Sequence, residues 1–122
     1  MLSPKNKATV EEIVQASWKL GYCQAEKFNQ TLPDENLCVQ EKSRVKSLLS
    51  KASGNQDDYR ALQKLSLFAK ASGQISSWNR TLNGQGVNWS QYESSPNAVE
   101  QNNSLKEATD HYINTGNLPS YL

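Results

Sequence analysis

Residues 8–30 read ATVEEIVQASWKLGYCQAEKFNQ, and this stretch decides the fold class. At about 100° per residue, Val10, Ile13, Val14, Trp18, Gly21, Tyr22, Ala25 and Phe28 gather on one side of a helix. Glu12, Gln15, Lys19 and Glu26 gather on the other. Thr9 followed by Glu12 reads as a capping box at the helix start. Gly21 sits mid-helix, where glycine costs about 1 kcal/mol relative to alanine. Its presence there predicts close packing against a neighbouring element.

Outward from this helix the same periodicity recurs. Thr31-Leu32-Pro33 closes it and opens a second, expected over residues 34–53, since proline is tolerated only in a first helical turn. Its apolar stripe is Leu37, Cys38, Val45, Leu48, Leu49 and Ala52, and Gly54 is its stop. A third helix is expected over 58–72, ending at Gly73, with Ala61, Leu62, Leu65, Phe68 and Ala69 inward. A short fourth follows over 74–82, carrying Ile75, Trp78 and Leu82. After a polar stretch at 83–95 comes a last helix from Ser95-Pro96 to Thr115, stopped by Gly116. Ala98, Leu105, Ala108, Tyr112 and Ile113 face its core side; Glu100, Asn103, Glu107, Asp110 and His111 face out. Strand-type alternation is nowhere sustained. The expected fold is all-α: a compact bundle of four to five helices in a single domain over 1–122, built on the antiparallel pair 8–30 and 34–53.

Charge is unevenly distributed. Residues 42–80 hold Lys42, Arg44, Lys46, Lys51, Arg60, Lys64, Lys70 and Arg80 against only Asp57 and Asp58, while both flanks are net acidic. The formal charge of +1 therefore hides a basic middle. Such a segment suits an anionic partner, most often a phosphate backbone. The third helix has the cleanest basic face: Arg60, Gln63, Lys64 and Lys70, with Leu67 in its middle. Hydrophobic content is 36%, below the usual range of about 45–50%, so the core is expected to be thin.

Motifs for catalysis are sparse. His111 is the one histidine, with Glu107 a turn before it, and it reads best as a solvated residue near a helix C-terminus. Cys23 and Cys38 lie fifteen apart with no C-x-x-C and no neighbouring histidine, so neither a zinc site nor a thiol nucleophile is expected. They read as two reduced structural thiols, with a disulfide across a helix hairpin as the alternative. The G-x-G at 84–86 lacks a preceding strand, a third glycine and the Lys-Ser/Thr of a phosphate loop. The acidic pairs Glu11/Glu12, Asp34/Glu35 and Asp57/Asp58 fall at expected helix starts, where they offset the dipole. Neither a secretory signal nor a membrane span is expected, which makes a cytoplasmic protein the default.

In its length, its five expected helices, its poverty in catalytic residues and its Arg60/Lys64/Lys70 face, the chain resembles the small helical subunits of CRISPR effector complexes. Those subunits line a ribonucleoprotein filament and touch DNA through basic helix faces. The resemblance implies a non-enzymatic accessory subunit of antiviral defence, with no cofactor and no small-molecule substrate. Lys42, Lys46, Arg60, Lys64, Lys70 and Arg80 would touch a DNA or RNA backbone without reading bases. Leu67, Trp89, Tyr92 and the apolar tail would dock on a larger protein or ribonucleoprotein assembly. The alternative is a protein-only adaptor whose basic face meets an acidic protein surface.

Overall fold

A computed structural model describes residues 6–28, 38–52, 56–84 and 96–122, with the side chains of 26–28, 78–84 and 96–99 excepted. The described residues form four α-helices and no strand: α1 (Lys7–Phe28), α2 (Val39–Ala52), α3 (Gln56–Gly84) and α4 (Pro96–Thr115). The expected third and fourth helices are one. α3 runs 29 residues straight through Gly73, so the glycine expected to stop it is interior.

The reason is tertiary. A Cβ on Gly73 would strike the backbone carbonyl of Trp18, and a Cβ on Gly21 would strike that of Lys70. Each glycine therefore admits the backbone of the other helix. The expectation for Gly21 holds, and Gly73 is its counterpart. Small residues extend the seam: Ser17, Ala25, Ser66, Ala69, Ser72 and Ser77 are all buried. Ser17 and Ser66 share a hydrogen bond of 2.6 Å across it, and Ser72 donates to the Phe68 carbonyl within its own helix. These hydroxyls are thus satisfied, which allows residues that read as polar to sit in the core.

Residue pairings give the helix directions. Ser17 meets Ser66 and Gly21 meets Lys70, so α1 and α3 run parallel. Glu12 of α1 meets Arg44 of α2, and Cys23 meets Cys38, so α2 is antiparallel to α1. Ser76 of α3 meets Asn102 of α4, and Asp58 meets Tyr112, so α4 is antiparallel to α3. The bundle is up-down-up-down, with the parallel pair α1 and α3 pressed together at its centre. α2 packs mainly on α1, and α4 mainly on α3.

The core lies where these helices converge. Val10, Ile13, Leu62, Leu65, Ala69, Leu105, Ala108 and Tyr112 form one cluster; Ala16, Leu20, Cys38 and Val45 form a smaller one under α2. Val14, Trp18 and Tyr22, expected at the centre of the α1 face, are only half-buried, because Gly21 and Ser17 draw the contact line toward themselves. Trp18 instead stacks on Tyr22 at 5.2 Å between ring centroids and donates its indole N–H to Asn102. The capping box is also displaced. Asn6, not Thr9, caps α1, its Oδ1 accepting from the N–H groups of Ala8 and Thr9.

Gly116 ends α4 at φ 78°, as expected, and its N–H bonds the Tyr112 carbonyl. The tail then folds back. Leu118 and Leu122 pack on the core, and the Tyr121 hydroxyl donates to the Ser104 carbonyl. The apolar tail, expected to be a docking surface, is therefore largely spent on its own bundle.

Tyr112 is fully buried, its hydroxyl making a long 3.5 Å bond to Asp58. Burial, then the Asp58 charge and that bond, push its pKa up from the ordinary 10 to about 12. A folded pKa above the unfolded one means that stability from the neutral phenol is complete below pH 10 and is lost as pH rises through about 12. A tyrosinate absorbance titration should show a late component that is missing in Tyr112→Phe. That variant should also unfold less steeply across the same window. A wild type whose tyrosines all ionise together near pH 10 would contradict the assignment.

Candidate functional site

The basic middle is carried by α2 and α3, but the fold divides it. On α3, Arg60, Gln63, Lys64 and Leu67 point away from α1 and are exposed. Leu67 is 65% exposed, the most of the large apolar side chains described. Arg60 and Lys64 stand one turn apart, and neither makes an ion pair among the described residues. Lys70 departs from expectation. Its backbone lies against Gly21 and its side chain is half-buried, so it sits at the edge of the α1–α3 seam, off the outward face. A helix places residues 60, 64 and 67 within about 60° of one another, whereas 70 falls about a sixth of a turn beyond 67.

On α2, Lys42, Arg44, Lys46 and Lys51 are all exposed. Helical spacing puts Lys42 and Lys46 on one side of the Val45 contact, Arg44 and Lys51 on the other. Arg44 is drawn to Glu12 at 3.0 Å, a surface pair worth under about 1 kcal/mol. The cations adjacent in sequence thus form two sets on two helices, and α2 touches α3 only lightly. The expected contacts Trp89 and Tyr92 lie outside the described residues, as do the side chains of Trp78 and Arg80.

A groove of about 400 Å³ runs between α1 and α4, floored by Val14, Trp18 and Leu105 and rimmed by Glu11, Gln15, Lys106 and Asp110. It holds none of the cations expected to meet an anionic partner. His111 is a capping group: its Nδ1 lies 2.7 Å from the Asn117 carbonyl oxygen, which requires the Nδ1–H tautomer. Thr115 completes that cap, donating to the His111 carbonyl and accepting from the Asn117 N–H.

At the cysteines the structure follows the alternative of the sequence reading, the disulfide across a helix hairpin. Cys23 and Cys38, expected as reduced thiols, form a disulfide with Cα atoms 6.2 Å apart. The antiparallel α1–α2 packing brings the two within the ordinary bridging range. Cys38 adopts φ 59°, the left-handed region disfavoured for residues with a Cβ, immediately before α2. In this state neither sulfur is a nucleophile. Glu41, in the first turn of α2, brings its carboxylate close to both sulfurs: the three ligand atoms lie within 4.8 Å of one another. The fifteen-residue spacing hid this grouping, because the third member comes from a helical turn beside the second cysteine.

No protein-family model, curated protein or solved structure matches the chain. Among the described residues, no helix is long and apolar enough to cross a membrane.

Proposed function

We propose that the protein is a non-enzymatic accessory subunit that meets a nucleic-acid backbone through the outward face of α3. The observation that carries this reading is the exposed pair Arg60 and Lys64, one turn apart and without an acidic partner among the described residues. Cations so placed are available to replace the counterions of a phosphate chain. Lys46 and Lys42 of α2 add charge on the flank. Base reading is not part of the proposal, which asks of Arg60 and Lys64 only that they neutralise phosphate charge. A larger assembly, like those of the effector subunits the chain resembles, would supply the remaining affinity through simultaneous contacts.

On this reading the protein is cytoplasmic, and the Cys23–Cys38 disulfide is open there to reduction to its dithiol form. One observation favours a second reading, in which the partner is an acidic protein surface. Leu67, exposed among the cations, offers the apolar centre that a protein interface uses and a phosphate backbone does not.

The test is binding to fluorescent single- and double-stranded DNA and RNA across a salt series. Arg60→Glu/Lys64→Glu should weaken binding and flatten the log–log salt slope by about 2 units, roughly one per lost phosphate contact. Both sites are exposed, so helicity should be unchanged. Wild type that binds none of these ligands at low salt rules out autonomous nucleic-acid binding and leaves the acidic protein partner.

A further inference from the structure

We infer that Cys23, Cys38 and Glu41 form a redox-gated site for a thiophilic divalent cation, with zinc the best match. The site is independent of the α3 face. Its warrant is the meeting of two sulfurs and a carboxylate, all within 4.8 Å, where α1 and α2 lie side by side. Zinc takes thiolate at about 2.3 Å and carboxylate oxygen at about 2.0–2.2 Å in tetrahedral geometry. Two sulfurs on one tetrahedral ion stand about 3.8 Å apart. Cysteines with Cα atoms 6.2 Å apart accommodate this by side-chain rotation, leaving the helices in place.

The surroundings suit the ion. Cys38 directly precedes α2 and Glu41 lies in its first turn, so one helix start carries two of the three ligands. Cys38 is buried, while Cys23 and Glu41 are half-buried, so the ligands are held by packing yet open to exchange. Three protein ligands leave a fourth position for water or a partner's side chain.

The disulfide and the ion exclude each other. A protein or small-molecule dithiol reduces the Sγ–Sγ bond: two electrons and two protons convert the disulfide to two thiols, and the reductant leaves as its own disulfide. Zinc binding then displaces the two thiol protons to solvent. A small-molecule or protein disulfide reverses the sequence by thiol–disulfide exchange: it takes up the two electrons and two solvent protons, leaves as its dithiol, and the re-formed Cys23–Cys38 bond releases the ion. Either bond ties Cys23 of α1 to Cys38 at the start of α2, so the hairpin remains fastened in both redox states.

The experiment titrates full-length protein with zinc against a chromophoric chelator, before and after reduction by a phosphine that is then removed. Reduced wild type should bind one zinc per chain, and oxidised wild type none at the same concentrations. Cobalt(II) in place of zinc should give a thiolate-to-metal charge-transfer band. Removing an outer-shell partner commonly lowers metal affinity about 10–100-fold, and a direct ligand should cost no less. Glu41→Gln, which keeps both cysteines and folds with its disulfide intact, should therefore lose at least tenfold when reduced. Zinc should also raise the melting temperature of reduced wild type but not of the oxidised form. Reduced wild type binding no more tightly than Cys23→Ser would overturn the site. An unchanged affinity in Glu41→Gln would overturn the three-ligand assignment.

Discussion

Gly73→Ala is expected to destabilise the protein by about 1–2 kcal/mol, although local rules predict the reverse. In a helix interior, alanine is preferred to glycine by about 1 kcal/mol, so propensity alone would make the substitution stabilising. Packing opposes it. The new Cβ would land on the Trp18 carbonyl, a backbone atom that cannot swing aside like the end of a flexible side chain. Relief requires α1 and α3 to separate, which stretches the buried Ser17–Ser66 hydrogen bond and opens space around Ala69 and Leu65. Overpacking of this kind costs about 1–3 kcal/mol or more, enough to overcome the propensity gain. Gly21→Ala should behave alike, with the Lys70 carbonyl as the obstacle. Because the two sites share one seam, the double variant should depart from additivity.

Urea unfolding decides the matter. Gly116→Ala is the control: nothing lies within 4 Å of its Cβ position, so only its φ of 78° opposes the change, at about 1–2 kcal/mol. A Gly73→Ala variant more stable than wild type would refute the backbone contact between α1 and α3.

The second large effect is loss of the disulfide. Cys23→Ser/Cys38→Ser should lower stability by about 3 kcal/mol under oxidising conditions, the chain-entropy value for a closed loop of this length. For a domain of this size that corresponds to a fall in melting temperature of about 10 °C. The backbone at Cys38 modifies the outcome. A left-handed residue with a Cβ costs about 1–2 kcal/mol, a cost that glycine avoids. Cys23→Ala/Cys38→Gly should therefore be more stable than Cys23→Ala/Cys38→Ala. Thermal melts with and without reductant read both effects. A wild type whose melting temperature ignores reductant, while free-thiol assay confirms reduction, would show that α1–α2 packing alone holds the hairpin.

Much of the fold was legible because hydrophobic periodicity is written locally. Spacing alone assigns Val10 and Ile13 on α1, Leu62, Leu65 and Ala69 on α3, and Leu105, Ala108 and Tyr112 on α4 to inward faces, and all are buried. Spacing also puts Arg60 and Lys64 on the outward face of α3 and His111 on that of α4, and all three are exposed, whereas Lys70, read onto the same α3 face, is half-buried. Serine was the weak point. Ser17, Ser66, Ser72 and Ser77 read as polar, but each is small enough for a close helix crossing. Ser17 and Ser66 satisfy each other, a pairing 49 residues apart that local spacing does not encode.

By itself, then, the sequence determined the helical class, the position of α1 and α4 to within a few residues, the stop at Gly116 and the concentration of positive charge in the middle of the chain. Tertiary structure decided whether a glycine ends a helix or lets another pass. Gly73 and Gly116 are alike on paper, yet one faces the backbone of α1 and the other opens into solvent. It also decided that Cys23 meets Cys38 and Glu41, and that Lys70 leaves the basic face that Arg60 and Lys64 share. The physical reason is common to all three. Helix propensity and amphipathicity depend on neighbours three or four positions away, whereas a close approach, a sulfur pair or a charge cluster depends on groups that only packing brings together.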